Sequence, residues 1–168
     1  MNKREKIAKL ARDKVKANCL YMWGGQGESV LETDPKDIIK YETNKTNAAR
    51  ILKLLANKLI TDQNMSKAEY FDCSGLVVDI LRKLEIIGPK DDFTATEIYK
   101  KLCAQICKDN LKEGDLVFVS SGTKISHVGI YTGPLEVTEA AGRDIGVVTR
   151  PMSKNSWNLY GRVKINEK

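Results

Sequence analysis

The apolar pattern of this chain changes its period once, and that change limits the folds open to it. Up to about residue 107 the apolar residues recur at helical spacing; after Leu111 they gather in short runs separated by turn residues. Residues 3–18 set Ile7, Leu10, Ala11 and Val15 on one face with Lys and Arg opposite, and the stripe Leu76, Val77, Ile80, Leu81, Leu84 predicts a helix ending near Gly88-Pro89. Ile98, Leu102 and Ile106 predict a further helix over 94–107. Beyond it, turns at 111–115, 120–123, 133–134 and 142–144 separate runs at 116–119, 127–132, 135–141 and 145–149, and the run 159–165 closes the series. Helices followed by strands predict an α+β fold, with N-terminal helices packed on a C-terminal antiparallel sheet of about five strands. Residues 28–70 differ in character, being polar with a turn at Asp34-Pro35 and a stripe of Ala48, Ile51, Leu52, Leu55 and Leu59. They read as a helical insertion, either a wall of a cleft or a decoration on the outside.

A chain of 168 residues can bury a full core, so one domain over 1–168 is expected. The net charge of +6 is spread along the chain with no basic block interleaved with aromatics, which argues against nucleic acid and leaves an anionic polymer such as a cell wall open. No run approaches the roughly 18 apolar residues of a membrane span. The basic N-terminus lacks the apolar core of a signal peptide, so synthesis in the cytoplasm is expected. The four cysteines, 19, 73, 103 and 107, form no CxxC pair, and a single histidine cannot complete a zinc set; neither metal nor cofactor is expected. Cys103 and Cys107, four apart in the expected third helix, read as packing residues sharing one face.

Chemistry concentrates at Phe71-Asp72-Cys73-Ser74-Gly75-Leu76, which opens the helix of the 76–84 stripe and puts Cys73 on its first turn. Unpaired N–H groups and the helix dipole there favour a thiolate, and Asp72 or Ser74 can cap the turn. A lone cysteine after a cap is also an ordinary buried residue. A thiol nucleophile needs an imidazole and a group that fixes its tautomer. Only His127 can supply the ring, from a strand whose alternation sets His127, Gly129 and Tyr131 on one face. In the hairpin turned at Gly133-Pro134, Glu139 falls roughly across from it, as orienting carboxylate or as a plain strand residue. Upstream, Tyr21 enters a glycine loop as a hydroxyl donor or a half-buried core tyrosine.

Taken together, Tyr21-Met22-Trp23-Gly24-Gly25, Asp72-Cys73-Ser74-Gly75-Leu76, Gly114-Asp115-Leu116-Val117-Phe118 and His127-Val128-Gly129-Ile130-Tyr131 resemble, in order, the motifs of the NlpC/P60 family of papain-like cysteine peptidases. The resemblance implies a papain-like fold and a cysteine endopeptidase that cuts peptidoglycan stem peptides after D-γ-glutamate, before diaminopimelate or lysine. Carried onto this chain, it implies Cys73 as nucleophile, His127 as base and acid, and position 139 as orienting residue. Tyr21 would lie beside the nucleophile, Asp72 and Ser74 would hold the substrate's amino group, and Trp23 would be a further substrate contact. The family usually has His, Asn or Gln where Glu139 stands, and a short connection where residues 28–70 stand.

A monomer is expected, acting on the wall after lysis or delivery, as a phage or prophage lysin does, or on muropeptides in the cytoplasm. The alternatives are an amidase or acyltransferase built on the same Cys and His, or a catalytically silent wall-binding domain.

Overall fold

A helix capped at both ends opens the computed structural model, which describes residues 1–61 and 63–166. Helix α1 (Lys3–Lys16) starts at Asn2, whose side chain accepts the Glu5 N–H while Glu5 accepts the Asn2 N–H, both at 2.9 Å. Strands β1 (Leu20–Tyr21) and β2 (Gln26–Ser29) follow, then α2 (Pro35–Glu42), α3 (Lys45–Ile60) and β3 (Glu69–Phe71). Helix α4 (Cys73–Lys83) leads to a single turn α5 (Ala95–Glu97) that widens into a π-helical turn over Ile98–Leu102. The rest is strand: β4 (Cys103–Gln105), β5 (Leu116–Ser121), β6 (Lys124–Gly133), β7 (Glu136–Ala140), β8 (Val147–Pro151) and β9 (Leu159–Val163).

Two sheets result. The larger is antiparallel throughout, in the order β4-β9-β5-β6-β7-β8; the smaller has β3 between a parallel β1 and an antiparallel β2. Helices α1 and α4 lie against the large sheet, where Ile7, Ala11, Leu76, Val77, Ile80 and Leu81 meet Leu116, Phe118, Val128 and Ile130. A separate cluster of Val117, Val137, Met152 and Trp157 lies outside that core, with the alternate residues of β5 and β7. A third core joins Leu20, Met22 and Tyr70 to Val30, Ile38, Ala48, Ile51, Met65 and Ala68. Among the described residues no helix is long and apolar enough to cross a membrane.

The α+β expectation holds, with four local differences. The sheet has six strands, because 94–107 is not one helix. Its chain leaves the π turn when the Leu102 carbonyl accepts the Lys164 N–H and Cys103 pairs with Val163, so sheet pairing overrides the helical spacing of Ile98, Leu102 and Ile106. Cys103 is therefore a buried strand residue and Cys107 an exposed one, and they share no helix face. Helix α4 ends at Lys83, before Gly88-Pro89. There Glu85 takes a left-handed φ of +53° while its N–H reaches the Arg82 carbonyl and the Ile86 N–H reaches Leu81, a Schellman closure formed without glycine. Finally, the ends of the 28–70 segment are strand, in β2 and β3, and only its interior is the helical pair α2 and α3.

Candidate active site

Two chain segments cross at the start of α4, and glycines allow it. The Asp72 N–H donates to the Gly25 carbonyl at 3.0 Å, and a Cβ on Gly75 would stand 2.0 Å from that same oxygen. Asp72 caps the helix: Oδ1 accepts the Gly75 N–H at 2.7 Å and the Ser74 hydroxyl at 3.3 Å, and Oδ2 accepts the Gly24 N–H at 3.0 Å. Burial raises the Asp72 pKa, and the N–H donors work against that rise. Both of its oxygens thus tie the glycine loop to the helix. Cys73, next along, is half-buried on the first turn, where backbone N–H groups have no partner within the helix.

His127 stands on β6. Burial disfavours charge on its ring, but Cys73 and Glu139 outweigh that and hold its pKa up at about 9. Its Nε2 lies 2.5 Å from Oε2 of Glu139, which leaves Nδ1 as the nitrogen available to the thiol. The ring also stacks on Trp157, with centroids 5.3 Å apart and planes at 20°. Gly129 makes room for that indole, since a Cβ there would come within 2.9 Å of it and 2.5 Å of Val137.

Glu139 does not sit directly opposite His127. Ile130 pairs with Thr138, so the register continued by one residue sets Glu139 across from Gly129, and the two side chains meet on the diagonal of one face. The carboxylate is 1% exposed, and Arg150 Nε on β8 donates to its Oε1 at 2.6 Å while Asn155 Nδ2 donates to Oε2 at 3.4 Å. Burial pushes the Glu139 pKa up, but the hydrogen bonds from His127 and Arg150 prevail and lower it. Sequence reasoning does not single out Arg150, Asn155 or Trp157, and none lies in a motif that could reveal it.

Tyr21, on β1, is half-buried. Burial, then the charges of Cys73 and Asp72, raise its pKa to about 12, with Arg143 opposing, so the phenol keeps its proton as a donor. Trp23 is 62% exposed, and its backbone N–H donates to Glu42 Oε1 at 2.8 Å. Glu42 ends α2, so the insertion reaches the glycine loop. Among the described residues, no group of three or more His, Cys, Asp or Glu side chains is placed to hold a metal ion.

A thiol, a ring and a buried carboxylate so placed have the chemistry to serve as nucleophile, proton carrier and orienting group. Comparison with known proteins agrees with the motifs. The probable endopeptidase p60 of Listeria monocytogenes is 36% identical over 90 residues, covering 54% of this chain and 17% of that protein, and its Listeria grayi counterpart is 31% identical over 90 residues. The chain thus spans about one sixth of the length of these curated relatives. Among solved structures, NlpC2 from Trichomonas vaginalis superposes with a TM-score of 0.59 at 17% identity, covering 96% of this chain and 46% of that one. The P60 domain of an antigen from M. avium subspecies paratuberculosis gives 0.55 at 20% identity and covers 98% of both chains. At such identities these two likenesses concern the fold alone. The model of the NlpC/P60 family matches residues 19–162, and the chain belongs to that family.

Proposed function

We propose that this chain is a cysteine endopeptidase that hydrolyses peptidoglycan stem peptides between D-γ-glutamate and diaminopimelate or lysine. The observation that carries the reading is the place of His127 between the Cys73 thiol and the buried Glu139 carboxylate, whose Oε2 lies 2.5 Å from its Nε2; the raised pKa of the ring agrees with it. The Listeria relatives, probable endopeptidases by name, support it over the matched 90 residues.

In this mechanism Cys73 Sγ, as the thiolate, attacks the scissile carbonyl carbon. The Cys73 N–H and the Tyr21 hydroxyl meet the developing oxyanion. As the C–N bond breaks, His127 gives its proton to the departing amine, leaving a thioester on Cys73. His127 then takes a proton from water, whose oxygen attacks the thioester; the C–S bond breaks, and the acid leaves with Cys73 again a thiolate beside the protonated ring. Glu139, held by Arg150 and Asn155, keeps the ring oriented and supports its positive charge throughout.

The test is mass spectrometry of defined muropeptides incubated with the protein and with Cys73→Ala. Cleavage at the D-γ-glutamyl bond that falls by about 1,000-fold or more in the variant is the expected result. Wall binding without cleavage by the wild-type chain overturns the reading in favour of a binding domain, and transfer of an acyl group to an amine overturns it in favour of an acyltransferase.

A further inference from the structure

Glu42 is 4% exposed and spends both carboxylate oxygens on residues near Tyr21. Oε1 accepts the Trp23 N–H, and Oε2 accepts Nε–H of Arg143 at 2.7 Å, from the loop between β7 and β8. The guanidinium carbon of Arg143 lies 5.3 Å from the centroid of the Tyr21 ring. Asp72, Cys73, Arg143 and Glu42 all bear electrostatically on the Tyr21 phenol, which places the arginine in the neighbourhood of the nucleophile. With Nε engaged, the two terminal amino groups of Arg143 have no protein partner among the described residues, and the side chain keeps 20% of its exposure.

An arginine serving only to neutralise Glu42 has its fork free to close on both oxygens of the acid. Here the Trp23 N–H holds one of those oxygens, and the arginine meets the other through Nε alone. One edge of the guanidinium is fixed by a buried acid, its central carbon stands over the Tyr21 ring, and the remaining edge carries donors suited to a planar anion. We infer that Arg143, oriented by Glu42 of the insertion, reads a free carboxylate on the acyl side of the scissile bond, namely the α-carboxylate that a γ-linked D-glutamate leaves unamidated. This assignment rests on the proposed endopeptidase reading for its substrate. Through Glu42 on α2, the insertion then helps to fix which stem peptides fit.

The experiment compares two otherwise identical stem peptides, one with the D-glutamate α-carboxylate free and one with it amidated. The wild-type chain is expected to favour the free acid by about tenfold to a hundredfold in kcat/KM, the worth of one charged hydrogen-bonded contact. In Arg143→Met the ratio is expected to fall to near one, with Arg143→Lys between, and in Glu42→Gln to fall part of the way. Equal losses on both peptides in Arg143→Met, or no preference in the wild type, overturn the inference. Calorimetric titration of Cys73→Ala and of Cys73→Ala/Arg143→Met with the same peptides reads the preference without turnover. If the wild type cleaves neither peptide while Cys73→Ala binds the free acid selectively and the double variant does not, the subsite stands and the endopeptidase reading falls. Cleavage of both at the same rate has the opposite meaning, and no binding of either peptide to Cys73→Ala overturns the subsite.

Discussion

Glu139 carries its charge in a nearly closed setting, and three neighbours make that possible: His127, Arg150 and Asn155. The sign of the pH dependence follows. His127 is raised above its ordinary 6.5, so its charge stabilises the fold in full below about 6.5 and this contribution is lost as pH rises through about 9. Glu139 is lowered from its ordinary 4.5, so its contribution is present above about 4.5 and is lost as pH falls below that value. Thermal melts across pH are therefore expected to show the pair's stabilisation greatest between about 4.5 and 6.5, with an alkaline decline towards 9. In Glu139→Gln the ring loses its carboxylate, and both this decline and the alkaline limb of kcat/KM are expected to move to lower pH. An unmoved alkaline limb would show that Glu139 does not set the charge on His127. At this scale Cys73, His127 and Glu139 are legible in the sequence because a helix start and a hairpin bring them forward. Arg150, Arg143 and Glu42 are not, because an isolated charged residue carries no local sign of the partner it will meet.

At the scale of elements, what holds Cys73 in place is the crossing of the glycine loop over the start of α4. Gly75→Ala puts a methyl group 2.0 Å from the Gly25 oxygen, and backbone is what must yield. A loss of about 1–3 kcal/mol is expected, together with lost activity, read by denaturant unfolding and by cleavage assay. Unchanged stability would mean that the loop moves aside freely. A second junction ties α1, β3 and α4 together. Lys14, 8% exposed, pairs with Glu69 and, at 3.2 Å, with Asp79, while Lys83 reaches Asp79 at 2.9 Å. Burial opposes the charge on Lys14, but the two acids outweigh it and raise its pKa. Lys14→Met leaves both acids to the more exposed Lys83, which lies 3.7 Å from Glu69 and 2.9 Å from Asp79, and is expected to cost about 1–3 kcal/mol in urea unfolding; a loss below about 1 kcal/mol would mark the cluster as solvated. The stripes of α1 and α4 reveal those helices in the sequence, but the 94–107 segment misleads because its apolar spacing fits a helix while its edge is needed by β9.

Across the whole molecule, the insertion shares its core with the segments that carry the glycine loop and Cys73. Leu20 and Met22, which precede the glycine loop, and Tyr70, which precedes Cys73, pack with Ile38, Ala48 and Ile51. Arg50 on α3 adds a two-pronged pair with Asp144, whose neighbour is Arg143. Being exposed, that pair contributes little to stability, and the apolar core dominates. Ile51→Ala is expected to cost about 2–5 kcal/mol. Calorimetry is expected to show one cooperative transition for the variant as for the wild type; two separate transitions would make the insertion an independent decoration.

The α+β order, the place of Cys73 at a helix start and the strand that carries His127 can all be read from the chain alone, because periodicity, caps and turns act over a few residues and are written locally. The diagonal meeting of His127 and Glu139, the Arg150 and Asn155 that hold the acid, and the path by which Glu42 reaches Arg143 arise in three dimensions. Those contacts depend on register and on the packing of segments up to about 100 residues apart, and burial then fixes which charges can persist there.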